Sequence, residues 1–178
     1  ASDQALGNAS MTGQETYYKT NNLIFLGFNA QREAPLLNTA QGRSLLGRLA
    51  DRRDLADKSY YGRAYPATGA INCYYSCVSS QQALNAHADT AGLEEAMTAL
   101  GYVYDTNSGY YQHPALADSS LELLVYTGNT YKKNTAVLLE KQFSEQGIRI
   151  RLKQTDDFNA YRAAVEAGEF DLYIGEVK

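Results

Sequence analysis

Apolar positions in the second half of the chain switch between two periods, and each switch marks a new element. Leu121-Glu122-Leu123-Leu124-Val125-Tyr126 reads as a strand, closed by the tight loop Thr127-Gly128-Asn129-Thr130. A helical run follows to Gln146, with Ala136, Leu139 and Phe143 at i, i+3 and i+7 on one face. Asn129 or Thr130 can accept from the exposed amides at its start, and Gly147 tolerates the left-handed conformation of a helix end. In Ile148-Arg149-Ile150-Arg151-Leu152 the period drops to two. Ile148, Ile150 and Leu152 take one face, and Arg149, Arg151 and Lys153 the other, as in a strand near a sheet edge. Asp156-Asp157 opens a short helix in which Phe158, Tyr161 and Val165 repeat the helical spacing, and Gly168 ends it. Phe170-Asp171-Leu172-Tyr173-Ile174 is the third strand. Such a β-α-β-α-β run with short connections predicts strands of one sheet, with right-handed crossovers between parallel neighbours.

The first half is less regular. Residues 1–16 have no apolar period and read as a flexible lead-in. Leu23-Ile24-Phe25-Leu26-Gly27-Phe28-Asn29 is rich in strand formers and predicts a buried strand, broken off by Ala34-Pro35. Leu45, Leu46 and Leu49 place a helix over residues 39–52, and a second helical piece covers 54–61. Gly62 to Ser80 is irregular and holds Pro66, Gly69 and both cysteines. Short helices are expected over 81–88 and 93–100, the latter stopped by Gly101. Tyr102-Val103-Tyr104 and Tyr110-Tyr111-Gln112 flank the five residues Asp105 to Gly109, which predicts a hairpin. Without an internal repeat or a linker, residues 17–178 form a single α/β unit.

Open α/β sheets hold ligands just beyond the carboxyl ends of their strands. Those ends carry Tyr126-Thr127-Gly128-Asn129 and Gly175-Glu176-Val177-Lys178, and Asn29 follows the first apolar run. Asn29, Tyr126, Thr127, Asn129 and Glu176 are therefore the candidate ligand-binding residues. Each has a plainer role beside it: Asn129 and Thr130 suit helix caps, and Glu176 suits a solvated loop.

Composition narrows the chemistry. At 178 residues, 44% hydrophobic and 20% charged, the chain can build a globular core. A formal charge of −4 argues against a nucleic-acid surface, which needs a basic stripe. No window is apolar enough over enough residues to cross a bilayer, and the start shows no signal-peptide pattern. Cys73 and Cys77 lie close together, which leaves a local disulfide and two free thiols equally open. The histidines, His87 and His113, show no metal-motif spacing, so no metal or cofactor is expected. No phosphate loop, dinucleotide turn, Gly-x-Ser-x-Gly elbow or His-Glu-x-x-His helix occurs. Glu94-Glu95 and Asp156-Asp157 stand at helix starts, where negative charge is favourable, and Lys132 and Lys133 are read as solvated. No catalytic residue is assigned. With 15 tyrosines, 5 phenylalanines and no tryptophan, aromatic contacts to a ligand fall to tyrosine.

The order of segments resembles a known family. A strand ends in Phe28-Asn29, and a helix carries Gly47-Arg48-Leu49-Ala50-Asp51-Arg52. A loop follows with Tyr65-Pro66-Ala67-Thr68-Gly69, then a helix ending Ala99-Leu100-Gly101-Tyr102. The βαβ unit brings Gly147-Ile148-Arg149-Ile150, then Ala167-Gly168-Glu169-Phe170-Asp171-Leu172-Tyr173. Over roughly residues 17–178 this is similar to the carboxyl-terminal lobe of the extracellular solute-binding proteins of peptide and nickel ABC importers, the oligopeptide- and dipeptide-binding family 5. The resemblance implies an α/β fold: one lobe of a type II periplasmic-binding protein, a mixed sheet flanked by helices. It also implies a fragment of a longer two-lobed protein located outside the cytoplasmic membrane, in the periplasm or as a surface lipoprotein whose anchor lies beyond this chain. Its partners would be a small solute, an oligopeptide foremost, and ABC permease subunits. Two rival readings stay open, a small α/β enzyme and a protein-interaction module. The segment Ala70 to Gln82 has no counterpart in the family pattern, and cleft aromatics would have to be tyrosines such as Tyr74, Tyr75 or Tyr126.

Overall fold

The structure, a computed structural model, describes residue 20 and residues 22–67 and 86–178. In chain order the elements are β1 (Leu23–Phe28), α1 (Pro35–Asn38), α2 (Ala40–Leu49), α3 (Arg52–Ser59) and α4 (Leu93–Ala99). There follow β2 (Val103–Asp105), β3 (Tyr110–Gln112), β4 (Leu121–Tyr126), α5 (Thr130–Glu145), β5 (Ile150–Thr155), α6 (Phe158–Glu166) and β6 (Leu172–Val177). Four strands make one mixed sheet in the order β1-β6-β4-β5. β4 runs parallel to both β5 and β6, and β1 closes the far side antiparallel to β6.

This order places the helices. From β4 the chain steps once to β5, then back across β4 to β6. Right-handed crossovers taken in opposite directions put their helices on opposite faces. Side-chain alternation agrees. Leu121, Leu123 and Val125 of β4 and Leu172 and Ile174 of β6 share one buried cluster with Ala136, Leu139 and Phe143 of α5. Tyr126 faces the other way, its ring 5.4 Å from Phe158 and 6.3 Å from Tyr161 of α6. The α5 side is the thicker layer: Leu36 and Leu37 of α1, Leu45, Leu46 and Leu49 of α2, and Met97 of α4 join the same cluster. α6 contains no fully buried residue.

Local chemistry sets the boundaries. Thr39 caps α2 by accepting from the Gly42 amide, and Asp51 caps α3 by accepting from the Asp54 amide. The helix expected over 39–52 thus ends at Leu49, and the second piece, expected over 54–61, starts earlier, at Arg52. Pro35 begins α1, where its missing amide costs nothing, so the Ala34-Pro35 break is itself a helix start. Gln142 on α5 ties α3 down: its amide oxygen accepts from the Asp51 amide at 3.0 Å. The hairpin loop has four residues, since Asp105 pairs with Tyr110. β5 is an edge strand, as its alternation implied.

Two strand expectations need correction. Leu23–Phe28 is a half-buried edge strand, because β6 covers only one of its edges. Its two-sided apolar pattern has another cause. Ile24, Leu26 and Phe28 pack on the core, while on the opposite face Phe25 lies across Gly175 and Tyr173 lies across Gly27. A β-carbon at either glycine would run into the facing ring. The last strand is also longer than expected. Pairing with β1 carries it to Val177, so Glu176 sits inside β6 and not in a loop beyond it. Residues 1–16, Cys73, Cys77, Tyr74, Tyr75 and most of the helix expected over 81–88 lie outside the described residues, and the described 86–88 are not helical.

Candidate functional site

Four of the five candidate residues meet at the carboxyl edge of the sheet. Asn129 is the cap of α5, its side-chain oxygen accepting from the Lys132 amide at 3.1 Å. The Thr127 amide and hydroxyl both donate to the Thr155 carbonyl, at 2.8 and 3.1 Å, which locks the end of β4 to the end of β5. Tyr126 folds its phenol over Gly128, a position where a β-carbon would collide with the ring. Tyr161 supports this side by donating its hydroxyl to the Ile174 carbonyl at 2.7 Å, and burial pushes its phenol up to about 12.

Glu176 points to the α5 face, with Leu172 and Ile174. There it meets Lys132 at 2.8 Å, both side chains largely withdrawn from water at 18% and 12% exposure. Its other oxygen accepts from the Asn22 side chain at 3.0 Å. Burial pushes the Glu176 carboxyl up, but the hydrogen bond and charge of Lys132, with help from Lys178 and Asn22, bring it below its ordinary value. It is an ionised, internally paired carboxylate.

Three tyrosines stand beside this pair. Tyr60, just past α3, stacks on Tyr131 at 5.4 Å with the planes 11° apart, and Tyr61 meets Tyr131 edge-on at 6.3 Å. Burial raises the Tyr60 phenol, and the Glu176 charge adds to the rise. Tyr61 has φ 53°, a conformation uncommon for a bulky residue, and leaves two thirds of its surface exposed. The edge is therefore a ledge: a half-buried ion pair and several polar groups between two sets of aromatic rings.

Asn29 is elsewhere. β1 runs antiparallel to β6, with Phe28 opposite Leu172, so the end of β1 lies at the amino-terminal edge of the parallel strands. The length of β6 separates it from Val177 by about 16 Å. There the Asn29 side-chain amide donates to the carbonyls of Gly168 and Phe170, both at 3.0 Å. Its backbone amide donates to the Asp171 carbonyl at 2.9 Å, and Asp171 in turn holds Arg32 at 2.9 Å. The rule that ligands gather at carboxyl ends holds for parallel strands, and β1 is not one.

Lys132, Tyr60, Tyr61, Tyr131 and Asn22 were not among the candidates. One signal in the sequence points to the first of them: Lys132 and Lys133 occupy the first turn of a helix, against the preference set by its dipole. Grooves elsewhere, about 410 Å³ between α2 and α4 and about 580 Å³ along β5, include none of the ledge residues. Among the described residues no group of three or more His, Cys, Asp or Glu side chains is placed to hold a metal ion.

Residues 1–177 match the family model of bacterial extracellular solute-binding proteins, family 5 Middle. The chain belongs to that family. Solved structures agree on the fold. The family 5 chain is similar to the oligopeptide-binding protein AppA of Bacillus subtilis, solved with a nonapeptide. The TM-score is 0.70 at 16% identity, over 88% of this chain and 31% of AppA. It is similar to NikA of Brucella suis in complex with Fe(III)-EDTA, with TM-score 0.73, 14% identity, and 88% and 30% coverage. It is similar to the periplasmic binding protein MelB of Agrobacterium fabrum in complex with stachyose, with TM-score 0.68, 19% identity, and 88% and 26% coverage. The chain thus spans less than a third of each of these proteins. No curated protein matches it.

Proposed function

We propose that this chain is one lobe of the solute-binding component of an ABC importer. In this reading the lobe forms one wall of a cleft that captures a peptide-like solute outside the cytoplasmic membrane and presents it to the permease, with no chemistry of its own. The observation that carries the reading is the ledge. In a chain of solute-binding family 5, Tyr126, Thr127, Asn129 and Glu176 gather with Lys132 and three tyrosines where an α/β sheet receives ligands. An open ledge suits half of a two-lobed cleft that closes by hinge motion. Strand-end polar groups and exposed rings suit a peptide, which offers backbone hydrogen bonds and side chains together. Lys132 and Glu176 are spent on each other, which leaves neither free as an acid, a base or a nucleophile. The family's extracellular description supports the location, and a membrane anchor and permease contacts belong to the same reading.

The test is a thermal-shift screen of the full-length protein against peptides, amino acids, metal chelates and oligosaccharides. A ligand that binds only the native state raises the melting temperature with its occupancy. Peptides should give the rise. A rise with chelates or oligosaccharides alone would overturn the solute class, and no rise with any of them would overturn the binding role.

A further inference from the structure

Lys132 and Glu176 are each badly placed alone. A cation in the first turn of a helix faces the positive end of its dipole, and a carboxylate drawn from water loses its hydration. The structure joins them, Nζ to Oε2 at 2.8 Å, and the second carboxylate oxygen is taken by Asn22. Lys133, on the same helical turn, and Lys178, after β6, are the nearby charges left exposed to solvent. Around the pair stand ring faces and edges: Tyr60, Tyr61 and Tyr131 on the α5 side, Tyr126 and Phe158 on the other.

We infer that the Lys132–Glu176 pair sets solute specificity by cancelling its own two charges between the rings, so that an uncharged stretch of solute lies against the pair, with Lys133 and Lys178 left at its margin. The inference rests on the solute-binding reading above. A charged solute group would have to pull one partner from the other, while peptide amides and uncharged side chains find rings and polar edges already arranged.

Removing one partner leaves the other half-buried and uncompensated, and a solute charge of opposite sign then becomes favourable. The experiment uses the full-length protein and a set of short peptides of one length, in which a single Glu, Gln or Lys is moved through every position. Binding is followed by calorimetry. The wild type should favour Gln over both charged residues at one or more positions. At those positions Glu176→Gln should shift toward the Glu peptide by about tenfold relative to wild type, and Lys132→Met should shift toward the Lys peptide by a similar factor. The double variant Lys132→Met/Glu176→Leu leaves the charge sum at the pair's position unchanged and should retain the wild-type order, which serves as a check even where a single variant folds poorly. An identical order of preference in wild type and both single variants would overturn the inference, as would a shifted order in the double variant. If no peptide binds any of these proteins, the solute-binding reading fails first and this inference falls with it.

Discussion

Asparagine serves opposite ends of this sheet in different ways. Asn129 caps α5 within the ledge, whereas Asn29 joins the end of β1 to the turn before β6. Asn29→Ala would leave the Gly168 carbonyl without this donor and the Phe170 carbonyl with only Arg32 Nε at 3.3 Å. It should destabilise the protein by about 1–3 kcal/mol and leave solute affinity unchanged. Chemical unfolding and calorimetry of the full-length protein check both halves of that statement, and a parallel loss of affinity would return Asn29 to the site. For Asn129 the informative change is Ser, which keeps the cap, whereas Ala costs about 1 kcal/mol through the cap alone. If the solute touches the Asn129 amide, the serine variant should fold like wild type and bind more weakly. At this scale the sequence was legible where the chemistry is local. An asparagine after a strand and before a helix reads as a cap, and it is one. The partners of Asn29 and Glu176 are distant in the chain, and no local pattern announces them.

Two phenylalanines separate the helices that carry them. Phe143 of α5 is completely buried in the main cluster, while Phe158 opens α6 and keeps 52% of its surface exposed. Phe143→Ala should cost about 3–5 kcal/mol, the range for a large core truncation. Phe158→Ala should cost far less and act mainly by freeing the Tyr126 ring. Urea unfolding of both variants ranks them, and comparable losses would mean that α6 carries more of the fold than its packing shows. Both helices were legible from the same i, i+3, i+7 spacing. What spacing does not reveal is depth, because a stripe on a sheet's thin outer side has the same period as a stripe over a core. Gly147 and Gly168, with φ of 75° and 70°, end these helices as the sequence suggested.

Acid response belongs to the whole molecule. The Glu176 carboxyl is lowered from 4.5 and the Asp51 carboxyl from 3.8. For Asp51, burial pushes upward, but the Asp54 amide and His87 outweigh it. A folded value below the unfolded one means that each ionised group stabilises fully above its unfolded value. That contribution is lost as pH falls through the lowered folded value. Stability should therefore be level with respect to these groups above about pH 5 and decline below about pH 4.5. Glu176→Gln should be less stable than wild type at neutral pH, and the gap should narrow in acid. Unfolding midpoints measured across this range test the sign: a gap that widens in acid would show that Lys132 does not hold the carboxylate ionised.

The sequence by itself determined the local alphabet: strands by period two, helices by period 3.6, a cap at Asn129, a helix start at Asp156-Asp157, helix ends by glycine. These depend on residues within one or two turns of each other, and such interactions act whatever the rest of the chain does. From the order of those elements the family resemblance was also readable. The edge position of β5 was readable too, but the order of the remaining strands and the direction of β1 were not. Only the tertiary structure decided that the chain returns across β4 to place β6, and that β1 enters antiparallel beside it. It thereby sent Asn29 to the far edge and brought Asn22, Tyr60, Lys132 and Glu176 together. Those choices come from burying both faces of one sheet at once, a condition that residues distant in sequence satisfy jointly.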